Sequence, residues 1–151
     1  MAKKFICDGM LGRLCRLMRI CGIDTEYSNQ GIKILLEARR EGRIILTKNR
    51  RLLNQESTFF IEPDEPLSQI KEVIDKFNLH KEISPFSRCL LCNEKLKPVN
   101  KESIKEKVPY FTYKNFDEFA QCERCQRVYW KGTHYQRMMK ELKTILDKKI
   151  G

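Results

Sequence analysis

No apolar run in this chain approaches the roughly 20 residues that a membrane-spanning helix needs. The start, MAKKFICDGM, carries charge but no apolar stretch of signal length. A soluble, cytoplasmic protein with no membrane partner is therefore expected. Histidine is scarce, and neither His80 nor His134 has a serine or cysteine at a spacing that would suggest a nucleophile–base pair, so no catalytic triad can be built. Internal repeats and low-complexity tracts are absent. Acidic residues are in deficit: 20 Asp+Glu stand against 30 Lys+Arg in 151 residues, a net charge of +10. A surplus of that size, clustered rather than even, points to a polyanion partner, most often nucleic acid. The alternative is a basic, solvated surface whose charges serve ion pairs.

Cysteine is present in an odd number, seven. Four lie in two CxxC pairs, CLLC (Cys89, Cys92) and CERC (Cys122, Cys125), with 29 residues between them. Each pair places two thiolates on a tight turn, and together they complete the tetrahedral sulfur site that Zn²⁺ prefers. All four positions are filled, so no ligand position is left for water and the metal is structural. Iron could occupy the same ligands. Cys7, Cys15 and Cys21 stand apart, in a strand and on an apolar helix face, where they read as buried free thiols.

Residues 1–80 alternate strand and helix patterns. KKFICD is an apolar strand ending at Asp8. From Met10 to Cys21, Leu11, Leu14, Cys15, Leu17, Met18 and Cys21 recur at spacings of three and four, a helix with Gly22 as its terminator. IDTEY is a second strand. Ser28 is expected to cap a second helix running to Glu41, which Gly42 ends. RIILT and TFFIE are the third and fourth strands, and EPLSQIKEVIDKFN is a further helix. This alternation implies right-handed crossovers and a mainly parallel sheet flanked by helices, an α/β fold. Residues 81–87 are expected to be a linker. Residues 88–151 hold both CxxC pairs and close with a helix from about Thr133 to Lys149. Residues 1–86 carry 15 Lys+Arg against 12 Asp+Glu, and residues 87–151 carry 15 against 8, so the second part is the more basic.

The basic residues fall in groups. Arg13, Arg16 and Arg19 occupy the polar arc of the first helix. Arg39, Arg40 and Arg43 end the second, where positive charge also suits the helix dipole. Lys48, Arg50 and Arg51 surround Asn49 at the end of the third strand, which would lie beside Asp8 if the two strands are parallel neighbours. In the second part, YWKGTHYQRM interleaves Tyr129, Trp130 and Tyr135 with Lys131, His134 and Arg137, a pattern suited to stacked bases and held phosphates. Packing of Tyr129 and Trp130 on the cysteine knuckles is the competing expectation.

Several stretches together carry a resemblance. FICDGMLGRLCRLMRICGIDTEY, LLEARREGRIILTKNRRLL, the CxxC pairs, LKPVNKE and RVYWKGTHYQRM resemble the RNase domain first described at the C-terminus of the Mut-seven exonuclease. The resemblance implies a PIN-like fold followed by a zinc ribbon, and a metal-dependent ribonuclease acting on RNA. Asp8 matches the family's first acid. Acids usual at the start of the second helix are missing from SNQGIK, and the T-x-D position reads Thr47-Lys48-Asn49. Glu62 and Asp64, after the fourth strand, are further candidate acids. Two expected carboxylates are thus neutral, and Asn49 brings no negative charge to a divalent ion.

These features lead to an RNA-binding protein of the PIN-like ribonuclease family whose metal-binding acids are partly lost, weakly active or inactive, and associated with the ribosome or another RNA assembly. The alternative is an active ribonuclease using Mg²⁺ or Mn²⁺. Asp8 is expected to be held by an ion pair with Lys48, Arg50 or Arg51 in place of a metal.

Overall fold

The computed structural model describes residues 2–150, with side chains to residue 146. Two compact units divide between Pro85 and Phe86. The first holds β1 (Phe5–Asp8), α1 (Gly12–Ile20), β2 (Thr25–Ser28), α2 (Ile34–Glu41), β3 (Ile44–Thr47), β4 (Thr58–Phe60) and α3 (Pro66–Phe77). All strand pairs are parallel, in the order β2-β1-β3-β4.

Strand alternation decides which helix covers which face. Ile6 and Ile45 point to one face, where Ile34 and Ala38 of α2 and Leu52 complete a buried cluster. Phe5 points to the other, with its ring edge-on to Phe77 of α3 at 5.2 Å. On α1, Leu14, Cys15, Leu17 and Met18 are buried, so the expected apolar face is the packed one. Cys7, Cys15 and Cys21 are all buried free thiols. Between residues 80 and 85, a 3-10 turn (His80–Glu82) is followed by Ser84, whose amide donates to the Cys21 carbonyl.

Three expectations need correction. Ser28 does not cap a helix: it ends β2 opposite Asp8, and its hydroxyl donates to Glu37 at 3.0 Å. Gly31 adopts φ +61°, outside the right-handed α-helical range, so a 3-10 turn (Gly31–Lys33) precedes α2, which starts at Ile34. Arg19 is not part of a solvated arc. It is buried, and its Nε donates to the Thr25 carbonyl at 2.8 Å. Arg43 is also buried. It reaches Asp24 (2.7 Å), Glu41 (2.7 Å) and the Phe5 carbonyl (3.1 Å), tying together the starting ends of the strands.

In the second unit, β5 (Lys97–Val99), β6 (Phe119–Gln121) and β7 (Val128–Tyr129) form an antiparallel sheet in that order. A 3-10 segment (Lys101–Lys107) and α4 (Tyr110–Asn115) connect β5 to β6, and α5 (Thr133–Ile150) closes the chain. Ile104, Val108 and Phe119 form its small core, with Trp130 packed against it.

Candidate nucleic-acid cleft and four-cysteine centre

In an open parallel sheet, ligands bind outside the carboxyl ends of the strands where the strand order reverses. Here the chain leaves β1 toward β2 and returns to the other side of β1 as β3, so that point lies between β1 and β3. A cleft of about 380 Å³ opens there. Asp8 and Met10 line it after β1, Asn29 and Gly31 after β2, and Lys48, Asn49 and Arg50 after β3.

Asp8 is 8% exposed. Its Oδ2 accepts from the Thr47 hydroxyl and from the Lys48 amide (3.0 Å), and its Oδ1 accepts from the Met10 amide (3.0 Å). The expected ion pair is therefore replaced by neutral donors. The Lys48 ammonium turns away, to Asp64 (2.9 Å) and the Glu62 carbonyl (3.0 Å). The Arg50 guanidinium lies over the Phe60 ring at 5.1 Å. Asn49 accepts from the Arg51 amide at 3.0 Å through Oδ1, capping a 3-10 turn (Arg50–Leu52) whose Leu52 is buried. A neutral amide does this as well as a carboxylate would.

The acids around the cleft do not converge. Among the described residues, no group of three or more carboxylates, histidines or cysteines includes Asp8. Glu37 sits in the first turn of α2, an acid missed because that helix starts later than expected, and its carboxylate is taken by Ser28. Lys48 holds the Asp64 carboxyl below its ordinary range. Burial, together with the charge of Glu62, pushes Glu72 up, against the Glu62 amide and Lys48.

The cysteine centre is built differently. The four Sγ atoms lie within 4.8 Å of one another. Those of Cys89 and Cys125 are 3.7 Å apart, near the edge of about 3.8 Å that a tetrahedron with metal–sulfur bonds of about 2.3 Å requires. The two knuckles repeat one geometry. The Cys92 amide points at Cys89 Sγ (3.4 Å) and the Cys125 amide at Cys122 Sγ (3.5 Å). Asn93 (φ 66°) and Gln126 (φ 67°) then turn each knuckle back through the left-handed region.

Without a metal, burial pushes Cys89 up, but the Tyr129 hydroxyl at 3.1 Å and two backbone amides outweigh it and leave it at about 7. Cys92 is pushed up to about 12 by burial and the neighbouring thiols. Four thiolates cannot share this space uncompensated, and a divalent cation resolves the conflict. The group can hold a metal such as zinc.

The sequence model of the Mut7-C RNAse domain matches residues 3–142, nearly the whole chain. The chain belongs to the Mut7-C RNAse domain family. Comparisons with curated proteins and with solved structures returned no match.

For this Mut7-C chain the structure brings Asp8, Lys48, Asn49 and Arg50 to one cleft. Arg51 is exposed and joins only through its amide. Arg13 and Arg16 are exposed on α1, with no acidic partner among the described residues. Lys131, His134 and Arg137 are exposed in the second unit, with Lys131 near Glu118 at 3.6 Å. The residue that sequence reading missed is Thr47, fully buried, which donates to Asp8 and accepts from the Asn49 amide at 2.8 Å. Its signal was present as the T of the T-x-D position.

Proposed function

We propose that this protein binds RNA and that its cleft, inherited from a ribonuclease family, no longer holds a catalytic divalent ion. The observation that carries this is the state of Asp8. All three of its hydrogen bonds come from the protein, and Asn49 beside it is neutral and engaged as a cap. Mg²⁺ is held by carboxylates and substrate phosphates in near-octahedral geometry. One carboxylate with no second acid converging on it among the described residues does not fit that ion, so no cleavage step is routed through it. Lys48, Arg50, Arg13 and Arg16 supply the charge that attracts phosphates, and Lys131, His134 and Arg137 add to it from the more basic second unit. The metal at Cys89, Cys92, Cys122 and Cys125 is zinc in this proposal, and it acts by holding the second unit folded. The partner extends to a large RNA assembly such as the ribosome, met in the cytoplasm.

A second reading, an active metal-dependent ribonuclease, draws on Glu37, an acid on Ser28, which lies opposite Asp8 in the sheet. One assay separates the two. Labelled RNA is incubated with native, Asp8→Asn and Asn49→Asp protein, with Mn²⁺ or Mg²⁺. The lost-site proposal expects binding without cleavage by native protein, and affinity falling linearly on a log–log salt plot. Metal-dependent cleavage by native protein that Asp8→Asn abolishes would establish the second reading.

A further inference from the structure

The aromatic residues marked out by sequence in YWKGTHYQRM are mostly spent on structure. The Tyr129 hydroxyl lies on Cys89, Trp130 packs on Phe119, and Tyr135 meets Phe86 edge-on at 5.6 Å. The exposed rings of this unit lie elsewhere. Tyr110 is 75% exposed and Phe111 70%, consecutive residues opening α4. Their segment is pinned from beneath, since Ile104, Val108 and Thr112 are buried.

Cations lie over Tyr110 and over its neighbour Tyr113. Lys114 Nζ lies 5.7 Å from the Tyr110 ring. Lys101 and Lys105 lie 5.0 and 5.8 Å from the ring of half-buried Tyr113. Lys101 also pairs with Asp117. Lys105, Lys107 and Lys114 are exposed and have no acidic partner among the described residues. Glu102 and Glu106 share the segment, leaving lysine in excess.

We propose that residues 101–115 form a stacking platform for unpaired RNA bases, with Tyr110 and Phe111 under successive bases and Lys105, Lys107 and Lys114 on the phosphates. This rests on the RNA-binding reading and locates it. A protein partner fits less well, because lysine is depleted from the cores of protein interfaces, whereas rings interleaved with cations suit single strands. A duplex offers no free base faces to the rings.

The test measures fluorescence anisotropy of a labelled oligouridylate of about a dozen nucleotides, and of an RNA duplex of equal length, across a salt series. With Tyr110→Ala/Phe111→Ala, oligouridylate affinity should fall about tenfold or more, since stacking is worth about 1–3 kcal/mol per base. Its salt slope and the duplex affinity should not change. With Lys105→Ala/Lys107→Ala/Lys114→Ala, the salt slope should become shallower by about two. Tyr110→Leu/Phe111→Leu keeps the apolar area without stacking and should lose affinity as the alanine pair does; it also serves if the alanine pair fails to fold.

Native-like binding by either aromatic pair, with native protein binding well, overturns the platform and leaves RNA binding standing. Oligouridylate binding restored by the leucines alone points instead to a generic apolar dock, which also overturns it. A native protein that binds neither RNA at low salt removes the platform together with the RNA-binding reading.

Discussion

Asp8→Asn separates a structural carboxylate from a catalytic one. Asp8 is 8% exposed, and three protein donors converge on it. An Asn can offer only one oxygen. If its NH₂ replaces Oδ2, the Lys48 amide faces a donor and the Thr47 hydroxyl must turn. If it replaces Oδ1, the Met10 amide loses its acceptor. The second choice is cheaper, leaving one orphaned amide at about 1–3 kcal/mol and removing the charge from the two bonds that remain. A loss of about 2–3 kcal/mol follows, or roughly 10–20 °C in the melting midpoint of a unit this size. Thr47→Val should cost about 1–2 kcal/mol by stripping donors and acceptors from the same network.

Circular dichroism melts without added Mg²⁺ or Mn²⁺ measure both. A working cation site behaves in the opposite way. Its carboxylates repel one another when the ion is absent, so neutralising one leaves the midpoint unchanged or raises it, and adding the ion raises the native midpoint by mass action. An Asp8→Asn protein melting at or above native, or a native midpoint climbing with Mn²⁺, would refute the reasoning.

Purified protein should contain about one zinc per chain, and Cys122→Ser should remove it and abolish the second unit's unfolding transition while the first unit's persists; metal analysis with calorimetry decides this. Arg43→Leu should cost the first unit about 1–3 kcal/mol, because the buried Phe5 carbonyl loses its donor and the partly exposed Asp24 and Glu41 lose their cation; a urea midpoint within error of native would contradict this. Gln126 holds φ 67° at the end of the second knuckle. Gln126→Val should cost about 1–2 kcal/mol there, while Gln126→Gly stays within about 0.5 kcal/mol of native; equal melts for both would show the turn is unstrained.

The sequence by itself determined the strand–helix alternation of the first unit and the clustering of four cysteines. Apolar residues recurring every three or four positions made α1 legible, a period set by local backbone geometry, and short continuous apolar runs made β1 and β3 legible, because strands of a covered parallel sheet are buried on both faces. The CxxC spacing settled the cysteine cluster for a similar reason, since two residues between thiols set the turn that presents them. Asp8 and Asn49 could be placed together once parallel neighbouring strands were inferred.

Tertiary structure decided what each polar side chain does. Arg13 and Arg16 stay exposed while Arg19, one turn on, is buried against Thr25. Their sequence pattern is the same, and only the packing of β2 distinguishes them. Asp8 finds Thr47 and Lys48 some forty positions away, so its bonds to neutral donors in place of an ion pair could not be read locally. Gly31 delayed α2 and so brought Glu37 into its first turn. Trp130 packed against the small core while Tyr110 and Phe111 stayed outside. Periodicity is written along the chain, but a hydrogen-bond partner or a ring's solvent face is set by residues that only the fold makes neighbours.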